Sequence, residues 1–303
     1  MIANLTHYDL DGVVSNILME KAMKLITYKC GYDKVDWMID KIIRERTAHG
    51  FKVLFATDMV LTQEQLEKLE KYLDVVVLDH HESSLKLKST KDTTKLVINT
   101  EQCGASLVWS FISKNFPKSL ENDNNNLKDL AYMACTYDLW KKDSKSFNEA
   151  FILNEIFWIY QWDTFKTIYS RGYFKPQQGI IDEAMMKINR RKEDIKKSKQ
   201  VEISKDSLLV VADEVYKFIG DMSLTITDKK LLFAYDTKYN KVSIRALKLD
   251  CDIVEAMEEL FEGNDEIKSY GGHKHAAGFV LNDCADITKK SMDYIEKICN
   301  ILE

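Results

Sequence analysis

The sequence predicts an α/β fold in two parts: an N-terminal region with a mostly parallel sheet flanked by helices, a linker helix, and a smaller α/β region toward the C-terminus. Three observations carry this. Apolar runs of buried-strand character, Lys52–Thr57 (KVLFAT) and Val75–Leu78 (VVVL), alternate with helical patterns near Val13–Leu25, Asp36–His49 and Gln63–Tyr72. Such alternation builds parallel sheets covered by helices. Gly179–Val201 reads as one long helix. From about Asp206 the strand pattern restarts in Leu208–Ala212, Leu231–Tyr235 and Val242–Ala246, with helical patterns in Cys251–Phe261 and Ala285–Leu302. The expected regions are residues 1–178, 179–205 and 206–303.

At 303 residues the chain is long enough for two domains with buried cores. Two prolines, Pro117 and Pro176, and sparse glycine favour helix over long irregular loops. Asn122–Asn126 (NDNNN) reads as a surface loop, and Leu127–Ser170 as helix-rich. Within the long helix, Lys187–Lys199 holds seven basic and two acidic residues. That pattern suits a solvated helix face, or a helix lending positive charge to a cleft. The net charge of −5 disfavours a protein that grips long nucleic acid through many phosphates, and favours a short or small phosphorylated ligand. The six cysteines are scattered without a C-x-x-C pair, the N-terminus shows no charged-then-apolar leader, and no run approaches the ~20 apolar residues that span a bilayer. A cytoplasmic location with free thiols and no membrane contact is expected.

Chemistry concentrates at histidine. Five of the six histidines fall in three tight clusters: His7, His80 with His81, and His273 with His275. His49 stands apart and reads as a surface helix residue. In Thr6-His7-Tyr8-Asp9-Leu10-Asp11-Gly12, the residues His7, Asp9 and Asp11 alternate, and an extended chain would place them on one side. Extended, His7 and Asp11 would lie ~13 Å apart, at ~3.3 Å per residue. Metal–ligand bonds are only ~2 Å. The three therefore cannot close on one ion without a bend, but they can span two. One imidazole with two carboxylates suits a divalent ion such as Mn²⁺. The competing reading is a polar loop in which Asp11 caps a helix. Asp58 directly follows a strand, at the sheet edge where open α/β sheets hold ligands, though an N-cap role is equally ordinary there. Asp79-His80-His81 follows the run VVVL, where two imidazoles and an acid gain nothing for packing. Asp138 ends an amphipathic run at a helix C-terminus, which does not favour a negative charge. Finally, Gly271-Gly272-His273-Lys274-His275 has the composition of a phosphate cradle, with backbone N–H groups freed by glycine. Arg245 is a plausible partner because its fork matches phosphate oxygens. A glycine turn with surface histidines is the plainer alternative.

Together these pieces resemble the DHH phosphoesterase superfamily in its DHH-plus-DHHA1 form. The motifs run in the family's order through His7-Tyr8-Asp9-Leu10-Asp11-Gly12, Asp58, Asp79-His80-His81, Asp138 and Gly271 to Gly278. Within it the chain looks closest to the B-type nano-RNase oligoribonucleases, through Thr57-Asp58, Gly104-Ala105-Ser106-Leu107 and Tyr137-Asp138-Leu139-Trp140. Tyr270 stands where the family often has a first glycine, and His275 where another residue, often Asn, is usual.

The resemblance implies two divalent cations, Mn²⁺ foremost with Mg²⁺ or Co²⁺ as substitutes. It implies that His7 and Asp9 hold the first, that Asp11, His80 and Asp138 hold the second, and that Asp58 bridges. Asp79 would orient His80 rather than bind metal. His81 would position the phosphate or protonate the leaving oxygen. Arg245, Gly271, Gly272, His273 and His275 would bind substrate phosphate, in a site completed when the domains close about the linker helix. Tyr137 or Trp140 could stack on a base, or simply pack. The implied substrate is a short oligonucleotide cut to mononucleotides. The alternatives are a phosphatase for 3′-phosphoadenosine 5′-phosphate, a linear or cyclic dinucleotide phosphodiesterase, a RecJ-like single-strand exonuclease, and a non-catalytic nucleotide-binding regulator. A homodimer remains open.

Overall fold

Strands β1 (Ile2–His7), β2 (Leu25–Cys30), β3 (Val53–Thr57), β4 (Asp74–Asp79) and β5 (Lys95–Ile98) form one parallel sheet in the order β2-β1-β3-β4-β5. This computed structural model describes every residue except 122–125, 216–218, 227, 250 and 283–285. Most of the expected Asn-rich loop, with Cys284 and Ala285, thus lies outside the described residues. The chain divides into two compact units, Met1–Met185 and Met186–Glu303.

In the first unit the central strands are covered on both faces, so their apolar residues alternate between two cores. Phe55, Val76 and Leu78 pack with α1 (Leu10–Ala22), α4 (Gly104–Asn115), α5 (Asn126–Asp138) and α6 (Phe147–Tyr169). Leu54, Ala56, Val75 and Val77 pack with α2 (Val35–His49) and α3 (Gln63–Glu70). A buried polar network ties the first face to the strands. Thr57 Oγ1 donates to Asn4 Oδ1 at 3.1 Å and Asn4 Nδ2 to Asn16 Oδ1 at 3.2 Å. Because its buried groups are partnered, the network fixes the register of β1 and β3 against α1 instead of weakening it. His49 lies on α2 and is partly exposed.

Several expected bounds shift. The helix expected over Val13–Leu25 ends at Ala22, because the backbone turns extended at Met23 and Leu25 opens β2. The helix expected over Gly179–Val201 is α7 (Gln178–Lys197). It stops where β6 (Lys199–Glu202) pairs antiparallel with β7 (Ser207–Ala212), and the boundary between the units falls inside it, after Met185. Strands β1, β2 and β5 carried no strand signal.

The second unit holds the sheet β10-β11-β9-β8-β7-β6, completed by β8 (Leu231–Asp236), β9 (Lys241–Ala246), β10 (Ile267–His273) and β11 (Ala276–Leu281). Only β7 and β8 run parallel. Leu209, Phe233 and Tyr235 face α9 (Ile253–Phe261) and α10 (Ile287–Leu302), while Leu208, Val210 and Ala234 face α8 (Ile219–Thr225) and Ile195 of α7. Two residues of the basic stretch of α7 are paired: Arg191 Nε meets Asp221 of α8 at 2.7 Å and Lys196 meets Glu193 at 2.8 Å. Among the described residues no helix is long and apolar enough to cross a membrane.

Candidate metal centre

The parallel register sets three candidate residues in a row. Thr6 pairs with Thr57, and Thr57 with Leu78. The residues that follow, His7, Asp58 and Asp79, therefore emerge side by side at the carboxyl edge of the sheet, where open α/β sheets place ligands. Asp58 leaves its strand with φ at 52°, a left-handed turn that Asp tolerates better than most residues, while its N–H donates to the Leu78 carbonyl at 3.0 Å.

The extended reading of residues 7–11 is corrected. β1 ends at His7. Asp9 is the N-cap of α1, its Oδ1 accepting from the Gly12 N–H at 2.9 Å, and Asp11 lies in the first turn. The cap satisfies a helix donor that would otherwise be orphaned. Gly12 permits the bend, since a Cβ there would sit 2.0 Å from the His7 carbonyl oxygen. Asp11 does serve a helix end, but that of α4, accepting from the Gly104 and Ala105 N–H groups at 2.6 and 2.9 Å.

Two donor groups result. His7, Asp9 and Asp58 form one; Asp11, His80 and Asp138 form the other, and within each the ligating atoms lie within 4.8 Å of one another. The groups meet at His80, whose Nε2 lies 3.1 Å from Asp58 Oδ1, 3.6 Å from Asp138 Oδ2 and 3.7 Å from Asp11 Oδ2. His7 Nδ1 lies 2.6 Å from Asp9 Oδ2. Each group offers one imidazole and two carboxylates, a donor set suited to Mn²⁺ and similar divalent ions.

The electrostatics match a centre built around cations. Burial, then the charge of Asp138, pushes the Asp11 carboxyl up to about 8. Burial also drives Asp58 well above the carboxylate range, with Asp9, Asp11 and Asp138 adding repulsion, and raises Asp138. Burial pulls the imidazole of His80 down, but Asp138 and Asp11 outweigh it and the net shift is upward. Burial acts the same way on His7, where Asp9 prevails. Asp58 Oδ2 and Asp138 Oδ2 are buried with no hydrogen-bond partner among the described residues. Unpartnered buried carboxylate oxygens are costly. Divalent cations would remove both the repulsion and the orphaned oxygens, so the residues fit the group that the sequence implied.

Asp79 plays a different part from the one expected. Its Oδ1 lies 2.8 Å from His81 Nδ1, and its Oδ2 accepts from the Ser84 hydroxyl. It therefore orients His81, not His80. The strand's two-residue period explains the change, because residues 79 and 81 share a side. Burial opposes ionisation of Asp79, but His81 and Ser84 hold its carboxyl below the usual range. Asp58, Asp79, His80 and His81 also fall within metal-ligand span.

Three contributors left no mark of their own in the sequence pattern. Ser84 sits in a short 3-10 turn (Glu82–Lys86). Tyr32 stacks on His7 with ring centroids 4.4 Å apart and places its hydroxyl 2.9 Å from His81 Nε2. Gly104 brings its N–H to Asp11 and enters the sequence pattern only through the family likeness. Tyr137 and Trp140 pack edge-on against each other, and both meet Phe151.

In the second unit, register also gathers the expected phosphate residues. His273 pairs with Ala276, and Ala276 with Arg245, so the two lie on one line across adjacent strands with a small residue between. Gly271 and Gly272 are strand residues paired with Gly278 and Ala277. Gly272 has φ at 145°, and a Cβ there would lie 2.4 Å from the Ala276 carbonyl oxygen. His275 is exposed in the connecting turn, its carbonyl accepting from the Ala246 N–H at 3.0 Å.

Residues 1–135 match the DHH family, N-terminal domain. No curated protein matches the chain. Among solved structures it is similar to RecJ in complex with Mn²⁺ from Thermus thermophilus, with a TM-score of 0.60 and 15% identity over 99% of this chain and 52% of that one. It is also similar to an exopolyphosphatase-related protein from Bacteroides fragilis, at 0.55 and 14% over 99% and 93% of the two chains. A third likeness is to CDC45 from Entamoeba histolytica, at 0.54 and 9% over 99% and 95%. At these identities the likeness is one of fold, and the chain spans about half the length of the Thermus RecJ. Residues 1–135 thus carry the match to the DHH family's N-terminal domain, and with the donor set those residues help assemble they support a phosphoester hydrolase.

Proposed function

We propose that the chain hydrolyses short oligonucleotides to mononucleotides with two divalent cations, Mn²⁺ foremost. The observation that carries this is the pair of donor groups, His7–Asp9–Asp58 and Asp11–His80–Asp138, that meet where His80 Nε2 lies 3.1 Å from Asp58 Oδ1. Cations held by these residues would supply charge neutralisation for a phosphoryl group and acidify a water for attack near neutral pH. The residues divide the remaining work. Asp9 and Asp11, braced by the Gly12, Gly104 and Ala105 N–H groups, keep their carboxylates aimed without rearrangement. His81, aligned by Asp79, is the proton donor to the leaving oxygen. In the second unit, Arg245, His273 and the Gly271–Gly272 backbone form a phosphate-binding group, and exposed His275 stands at its rim.

The acidic net charge supports a short substrate, since long strands are held through many phosphates. The test is a panel of a 2-mer, a 5-mer, a 20-mer, a cyclic dinucleotide and 3′-phosphoadenosine 5′-phosphate, each in Mn²⁺. The 2-mer and 5-mer are expected to turn over at least about tenfold faster, per kcat/KM, than the 20-mer, a difference of ~1.4 kcal/mol. Dominant cleavage of the 20-mer would favour a RecJ-like exonuclease, and dominant release of phosphate from the bisphosphonucleotide a phosphatase. Binding of any of them without turnover in Mn²⁺ would leave only a regulator.

A further inference from the structure

Tyr32 opens the 3-10 turn Tyr32–Lys34 between β2 and α2, far in sequence from every motif. Its ring lies nearly parallel to the imidazole of His7, at 18°, and edge-on to that of His81, at 83°. Tyr32 is 46% exposed, so filling a core is not what holds it there. Its hydroxyl reaches His81 Nε2 at 2.9 Å. The direction of that hydrogen bond follows from the other nitrogen. The Asp79 carboxylate can only accept, so His81 Nδ1 carries the proton. In the neutral ring Nε2 is then an acceptor, and the Tyr32 hydroxyl donates to it. A continuous chain runs from Tyr32 through His81 and Asp79 to Ser84.

We propose that Tyr32 is a positioning residue of the metal centre, fixing the plane of His7 by stacking and the direction of His81 Nε2 by its hydroxyl. This rests on the two-cation reading above. Both rings are then set before cation or substrate arrives. A ligand imidazole already held in its plane loses less freedom on binding metal. An imidazole held from both nitrogens stays aimed; it protonates the leaving oxygen only as the imidazolium, whose Nε2–H turns from the Tyr32 oxygen to the leaving oxygen when substrate displaces the hydroxyl.

The two contacts separate by substitution. Tyr32→Phe keeps the stack and deletes the hydrogen bond. With a 5′-phosphorylated diadenylate in Mn²⁺, its kcat is expected to fall about tenfold to a hundredfold, while KM and Mn²⁺ affinity stay within about twofold of wild type. Tyr32→Ala deletes both, and calorimetry should add about tenfold weaker Mn²⁺ binding. An unchanged kcat in Tyr32→Phe, or wild-type Mn²⁺ affinity in Tyr32→Ala, overturns the proposal. Should Tyr32→Ala fail to fold, the near-isosteric Tyr32→Phe decides it through the split between kcat and KM. The calorimetric arm needs no turnover. A wild-type protein that binds Mn²⁺ but hydrolyses nothing would sink the hydrolytic reading, and Tyr32→Ala would still decide the role at His7.

Discussion

Asp58→Asn is expected to lower kcat/KM by about 10³-fold or more, ~4 kcal/mol of barrier, while leaving the metal-free protein at least as stable as wild type. The two effects have one cause. Asp58 is buried beside Asp9, Asp11 and Asp138, one of its oxygens has no hydrogen-bond partner among the described residues, and its carboxyl is driven upward by burial and by those charges. Without cations it is a liability to the fold; with them it is a donor of the first group, lying 3.1 Å from His80 of the second. Asparagine keeps the shape and tolerates the left-handed backbone at φ 52°. Removing a crowded buried charge should raise apo stability by about 1 kcal/mol. Thermal unfolding with and without Mn²⁺ checks this. Wild type should be stabilised by the ion through mass action, and Asp58→Asn should not. A variant that loses stability without metal, yet gains normally from Mn²⁺, would remove Asp58 from the centre.

Gly104→Ala should be nearly as damaging, from a position that carries no functional group. A Cβ there would lie 2.5 Å from Asp58 Cβ and 2.9 Å from Asp11 Oδ2. Helix propensity alone would favour alanine by ~1 kcal/mol, but overpacking of this kind costs about 1–3 kcal/mol. The first turn of α4 must retreat or the two carboxylates must move, and either breaks the 2.6 Å hydrogen bond to Asp11. We expect a net loss of about 1–2 kcal/mol in stability and about a hundredfold in Mn²⁺ affinity and turnover, read by urea unfolding and calorimetry. Wild-type metal affinity in Gly104→Ala would show that the α4 terminus does not support the centre.

These two positions show what the sequence could reveal and what it could not. Asp79-His80-His81 was legible because imidazoles and an acid after four apolar residues gain nothing from packing. Asp58 and Asp138 were ordinary when taken alone and gained meaning only with the other motifs. Gly104 and Tyr32 act through space. Nothing in a linear pattern says that the N-terminus of α4 meets Asp11, or that Tyr32 lies against His7. Strand β1 was missed because Asn4 and Thr6 are buried polar residues, which blurs the apolar run that strand reading depends on. The glycines of β10 suggest a phosphate cradle or, more plainly, a turn; they are paired strand residues, needed where Gly272 closely approaches the Ala276 carbonyl. The assignment of Asp79 to His80 failed for a simpler reason: the two-residue period along an extended chain favours His81.

Anomalous diffraction from a crystal of the wild-type protein soaked in Mn²⁺ tests the central claim most directly. Two peaks are expected, ~3.5–4 Å apart as in two-metal sites, one among His7, Asp9 and Asp58 and the other among Asp11, His80 and Asp138. No peak among these side chains, or a manganese bound only elsewhere, would contradict the account.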